Sequence, residues 1–393
     1  MTRRLTALTA ALLLAATALG IGTAAPTSAR ALPKPDEDQW WFTVWGIEKV
    51  WATGARGQGI TVAVIDDGVD ASRPELKGRV LPGLGFDGSN PWKNSTSRGH
   101  GTAMAVYIAG QGHAWAGAGV APEAKILPIT NGPGLTDLGK QIRYAVDHGA
   151  KVINMSIATE NPCDDAIDLD IPAAVRYAVD HGALLFAGAG NDGRRTDNVP
   201  ADCPGVVSVA AVDDRAKVWT KSTRSSSVAL AAPGVHMASR NSKGAEGYSD
   251  GTSDATALMS GAAALVWSKY PDLTNRQILA RLLASAKDIG PKGPDDASGF
   301  GIALPLTAIQ KKIPADAPNP VFDALDRALP PGSGNPTSSP TPDTDTGGVP
   351  GASSGTAASS GPKPVVIIGG LGALLIAIAG GAIAFIRTRR RPH

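Results

Sequence analysis

The stretch ITVAVIDDGVD, residues 60–70, decides how the chain is read. Its first half is a short run of β-branched and small apolar residues, the mark of a strand buried on both faces. The run stops at two adjacent acids and a glycine, Asp66, Asp67 and Gly68. Similar runs follow at 124–130 (AKILPIT), 151–157 (KVINMSI), 183–189 (ALLFAGA) and 206–212 (VVSVAAV). Between them, TDLGKQIRYAVDHGA (136–150) and IPAAVRYAVDHGA (171–183) carry helical spacing and stop at His-Gly. Strand and helix in alternation predict an α/β fold: a mostly parallel central sheet with helices on both faces, and ligands at the carboxyl ends of the strands.

The chain has 393 residues, with 37 Lys and Arg against 35 Asp and Glu, a formal net charge of +2. The basic residues form no stripe, so no nucleic-acid partner is expected. Both termini point to a membrane. Residues 1–31 open with Arg3 and Arg4, continue apolar and end with Ala29 and Ala31 placed for cleavage, as a signal peptide does. Residues 365–386, VVIIGGLGALLIAIAGGAIAFI, are uncharged and long enough for a membrane helix, predicted over 364–387. The basic tail, 388–393, then stays in the cytoplasm and the body lies outside the cell. Ahead of the anchor, residues 312–363 are read as a disordered Pro/Gly/Ser/Thr-rich linker, because the tract from 330 has almost no large apolar residue to bury. One globular domain, 32–311, remains.

Unusual residues gather at its predicted strand ends. Asp66 ends the first strand; His100 lies between glycines in SRGHGTAMAVYIAG (97–110); Asn191 follows FAGAG; Ser253 opens a helix of small residues in GYSDGTSDATALMSG (247–261). Singly, each has an ordinary explanation as a turn former or helix cap. Together they supply an acyl-transfer site: a serine nucleophile, a histidine to take its proton, and an acid to orient and stabilise the imidazole. No G-x-S-x-G elbow surrounds Ser253, which argues against an α/β-hydrolase.

The order Asp, His, Ser, with VAVIDDGVD, GHGTAMA, GAGNDG and GTSDATALMSG, resembles the subtilisin-like serine peptidases (peptidase S8) over about residues 41–310. The resemblance implies a subtilisin-like three-layer fold and a serine endopeptidase with Asp66, His100 and Ser253 as triad. Asn191 and the Ser253 N–H would form the oxyanion hole. It implies an extended polypeptide substrate clamped between Gly132, Pro133, Gly134 on one side and Ser156, Ile157, Ala158 on the other. Gly188, Ala189 and Gly190 would wall an open pocket for the residue before the scissile bond.

Several positions depart from that family's usual pattern. Ala257 replaces a proline, Ala158 and Val106 replace glycines, and Pro133 has no N–H to pair with substrate. Asp67 resembles a variant of kexin-like relatives. Asp254, directly after the nucleophile, is expected to raise the barrier if its charge faces the oxyanion, so that Asp254→Ala would increase kcat/KM. Cys163 and Cys203 lie in the exported domain and are expected to be bridged, bracing the cleft wall. No zinc spacing occurs, no cofactor is required, and a structural calcium, which some relatives bind, has only CDDAIDLD (163–170) to suggest it. A signal peptide, about ten intervening residues, a linker, an anchor and a basic tail resemble the mycosins, membrane-anchored peptidases of type VII secretion. That likeness implies processing of exported proteins beside a secretion complex.

Overall fold

The computed structural model describes residues 32–333 except 94–98, 131–134, 165–169 and 242. In chain order the strands are β1 (Thr61–Asp66), β2 (Leu84–Gly85), β3 (Lys125–Thr130), β4 (Val152–Met155), β5 (Thr159–Glu160), β6 (Leu184–Gly188), β7 (Asn198–Val199), β8 (Val206–Val212), β9 (Val228–Pro233), β10 (Met237–Arg240) and β11 (Glu246–Ser249). The helices are α1 (Trp40–Trp45), α2 (Ile47–Ala52), α3 (His100–Ala109), α4 (Leu138–Asp147), α5 (Ile171–Asp180), α6 (Thr252–Lys269), α7 (Asn275–Ala284), α8 (Pro305–Gln310) and α9 (Pro320–Ala328).

The central sheet runs β2-β3-β1-β4-β6-β8-β9 with parallel pairing throughout. Every residue of β4, β6, β8 and β9 is buried. Since alternate residues face opposite sides, both faces are covered. Helices α3 and α6 pack on each other, α4 and α5 make a second pair, and α6 underlies β4, β6, β8 and β9. The register Ile65↔Met155 and Met155↔Ala187 brings the carboxyl ends of β1, β4 and β6 level. That alignment builds the site, because Asp66, Ser156 and the loop after Gly188 then leave the sheet side by side.

Helix α6 is buried at every position except Ser253 and Lys269. A helix without a wet face must be apolar or small all round, and its ATALMSGAAALVW core meets that demand. Its few polar groups are bonded: Thr256 Oγ1 donates to the Thr252 carbonyl at 2.7 Å and Ser260 Oγ to Asn154 Oδ1 at 3.1 Å.

The boundary expected at residue 311 is corrected. Asn319 caps α9 by accepting from the Phe322 N–H at 3.2 Å, Pro320 takes the first helical position, and Phe322 and Leu325 are fully buried. Asp326 pairs with both Arg176 of α5 and Arg276 of α7. The body therefore continues through α9. Residues 1–31, the tract from 334 and the anchor expected at 364–387 lie outside the described residues, and no described helix is long and apolar enough to cross a membrane.

Phe322→Ala should destabilise the fold by about 3–5 kcal/mol, read by chemical denaturation. A change below about 1 kcal/mol would mean that α9 contributes no packing.

Candidate active site

Asp66 ends β1 with 4% of its side chain exposed, and His100 opens α3 with 47% exposed. The His100 Nδ1 lies 2.9 Å from both carboxylate oxygens of Asp66. A carboxylate only accepts, so Nδ1 carries the proton and Nε2 is left as the basic nitrogen. The Asp66 carboxylate raises the His100 pKa to about 9, burial opposes it, and Asp254 and Asp67 add to the rise.

This closeness requires Gly101. A methyl group there would stand 2.5 Å from the Gly68 carbonyl oxygen and 2.9 Å from the Asp66 Cβ. The first turn of α3 can approach the end of β1 only without a side chain at that position.

Ser253 lies in the first turn of α6, where N–H groups have no partner within the helix. Thr252 N–H and Oγ1 both donate to Asn191 Oδ1, each at 2.9 Å. The amide end of Asn191 therefore turns to the cleft, beside the Ser253 N–H, which has no hydrogen-bond partner among the described residues. Ser253 Oγ donates to the Ser156 carbonyl at 3.3 Å, and Ser156 Oγ donates to the Ser253 carbonyl at 3.0 Å. Asn154 Nδ2 in turn donates to Ser156 Oγ at 3.0 Å. Among the described residues no hydrogen bond joins Ser253 to His100.

A cleft of about 600 Å³ opens on this group, lined by Ser156, Ile157, Ala158, Gly188, Gly190, Asn191 and Ser253 among others. Those expected wall residues are brought together. Gly132, Pro133 and Gly134 lie outside the described residues. Ala189 is a correction: it turns away, 4% exposed, into a core cluster with Ala210, Val212 and Ile302. Gly190 has a second reason to be glycine, since its φ is +116° and a Cβ would stand 2.3 Å from Asn198 Nδ2.

A family match, to the subtilase family of peptidase S8, covers residues 57–301. The chain belongs to the subtilase family. It is 35% identical over 256 residues to a thermostable alkaline protease of Halalkalibacterium halodurans, covering 63% of this chain and 68% of that protein. Against three curated relatives the chain spans between 44% and 68% of their length. Among solved structures, MycP1 with its N-terminal propeptide removed superposes with a TM-score of 0.64 at 29% identity, over 70% of this chain and 98% of that one. The MycP3 protease from the type VII (ESX-3) secretion system gives 0.61 at 30% identity, over 72% and 91%.

This subtilase also carries cleft residues that the sequence reading passed over. Thr159, Glu160, Asp192 and Asn198 line the cleft. Asp192 simply follows Asn191, while the others arrive by long-range pairing: β5 and β7 form an antiparallel ladder, Thr159↔Val199 and Glu160↔Asn198, and the Cys163–Cys203 disulfide ties the same two segments. The bridge thus braces the cleft wall as expected. Arg194 joins Asp192 and Glu160 across the rim.

Asp254 answers to a different geometry from the one feared for it. It is 3% exposed, lines no part of the cleft, and accepts from Ser249 Oγ at 3.0 Å. Burial raises its pKa to about 7, with His100 opposing the rise. The carboxylate is engaged by Ser249 and is not among the groups that line the cleft.

Two consequences are measurable by following the imidazole with NMR. Asp254→Asn removes one of the charges that stabilise imidazolium and should lower the His100 pKa; an unmoved titration would show that Asp254 does not act on it. Because His100 is raised in the folded state, the stability from its pairing is fully present below its ordinary pKa of 6.5 and is lost as pH climbs through about 9.

Proposed function

We propose that this subtilase is a serine endopeptidase that cuts exported polypeptides at the outer face of a membrane. The observation that carries the reading is the His100 imidazole seated on both oxygens of buried Asp66, together with a cleft lined by Ser253 and Asn191. Ser253 Oγ attacks the scissile carbonyl carbon while His100 Nε2 takes its proton. Asp66 holds the imidazole tautomer and stabilises the imidazolium. The carbonyl oxygen, now an oxyanion, accepts from the Ser253 N–H and the Asn191 amide. Such a donor is worth about 2.7–4 kcal/mol, a magnitude measured in subtilisin, a member of this family. The imidazolium then protonates the leaving amine, and water, activated by the same base, releases the acyl group. Activity should rise with pH as His100 loses its proton.

The mycosin-like part of the reading draws on the likeness to MycP1 and MycP3, on the leader expected over 1–31 and on the anchor and basic tail expected from 364. It gives the chain a type VII secretion complex as neighbour and places the cleft outside the cell, with the C-terminus in the cytoplasm. A second reading makes the chain a brace for such a complex, with cleavage weak or dispensable. One observation favours it: Ser253 Oγ donates to Ser156 and not to His100.

A fluorophosphonate probe on the full-length chain separates the two. Labelling confined to Ser253 and abolished in Ser253→Ala supports the peptidase; a folded chain that takes no label gives the brace precedence.

A further inference from the structure

Helix α3 begins without a cap of its own. Its N-cap position is Gly99, which has no side chain, yet its first residue is His100, the proposed base. The acceptor comes from 33 residues earlier in the chain, the distance between His100 and Asp67. Asp67 Oδ2 accepts from the N–H groups of Gly99 and His100, each at 3.3 Å, and Oδ1 from the Gly101 N–H at 2.8 Å. Asp67 N–H itself donates to Asp66 Oδ1 at 2.7 Å. One turn further, Thr102 Oγ1 accepts from the Asp70 N–H at 3.0 Å.

We infer that Asp67 is a positioning residue for the proposed base: Asp66 holds the imidazole ring while Asp67 holds the backbone that carries it. The two adjacent acids divide one task. Three N–H groups on one carboxylate fix the first turn of α3 to the end of β1, and so fix the His100 Cα relative to Asp66. A misplacement of about 1 Å in a catalytic group costs on the order of a hundredfold in rate. Burial, and then the charge of Asp66, raise the Asp67 pKa to about 6, so the carboxylate is ionised in the alkaline range where His100 becomes a base.

The inference rests on the peptidase reading, and its test keeps the two apart. Full-length wild type, Asp67→Asn, Asp67→Glu and Asp67→Ala are compared by peptide hydrolysis and by the rate of Ser253 labelling with a fluorophosphonate, across pH. Asn keeps one acceptor oxygen without the charge and sets an NH2, which cannot accept, where the other oxygen stood; Glu keeps both oxygens and the charge one methylene out of place. Positioning predicts that the high-pH plateau of kcat falls about 10- to 100-fold in Asp67→Ala and Asp67→Glu, with KM within about twofold, and falls least in Asp67→Asn, which keeps one of the two acceptor oxygens in place. The pH limb shifts with charge and not with shape. A plateau kept by Asp67→Glu and lost by Asp67→Asn would overturn the inference in favour of a charge effect. A loss carried by KM would overturn it in favour of a substrate contact. Should Asp67→Ala fail to fold, the Asn and Glu pair alone decides. A wild-type chain that takes no label removes the peptidase reading itself.

Discussion

Helix α6 enters the core at Thr252 and leaves it at Lys269, and nearly every side chain between them is buried. Such a helix has no polar face to offer water, so every polar group it carries must find a partner inside. The partners are the strands above it. Ser260 reaches Asn154 on β4, Asn154 reaches Ser156, and Ser156 exchanges hydrogen bonds with Ser253 at the start of the same helix. The requirement that buries the helix thereby fixes the height of Ser253 against the sheet.

The acid on β1 depends on a related constraint. Asp66 is nearly dry, and a buried carboxylate is tolerated only where hydrogen bonds and an opposite charge compensate it. The Asp67 N–H and the His100 ring supply these. Because the cost of leaving Asp66 unpaired is large, the imidazole is held in place by the stability of the fold as much as by any need of catalysis.

The sheet and most of the site were legible because their signals are local. Five strands read as Val, Ile and Ala runs, and Asp66, His100, Asn191 and Ser253 stood out as interruptions at strand or helix ends. The Ala189 assignment ignored period two: Gly188 and Gly190 face the cleft, so Ala189 between them faces the core. Helix α9 was absorbed into a Pro-rich tract, although Asn319 followed by Pro320 is a start signal that could have found it. Glu160 and Asn198 had no local signal at all. A two-residue ladder and a disulfide spanning 40 residues bring them to the cleft, and neither leaves a periodic trace.

Helix α9 also sets how the body meets mechanical load. Whatever tension arrives along the chain from beyond residue 333 passes through α9 before it can reach the sheet. Asp323 and Asp326 hold Arg276 on α7, Asp326 also holds Arg176 on α5, and Phe322 and Leu325 are sunk in the core. These contacts act as a strain relief. A pull on the C-terminal segment therefore loads these helix-to-helix contacts before it loads any strand.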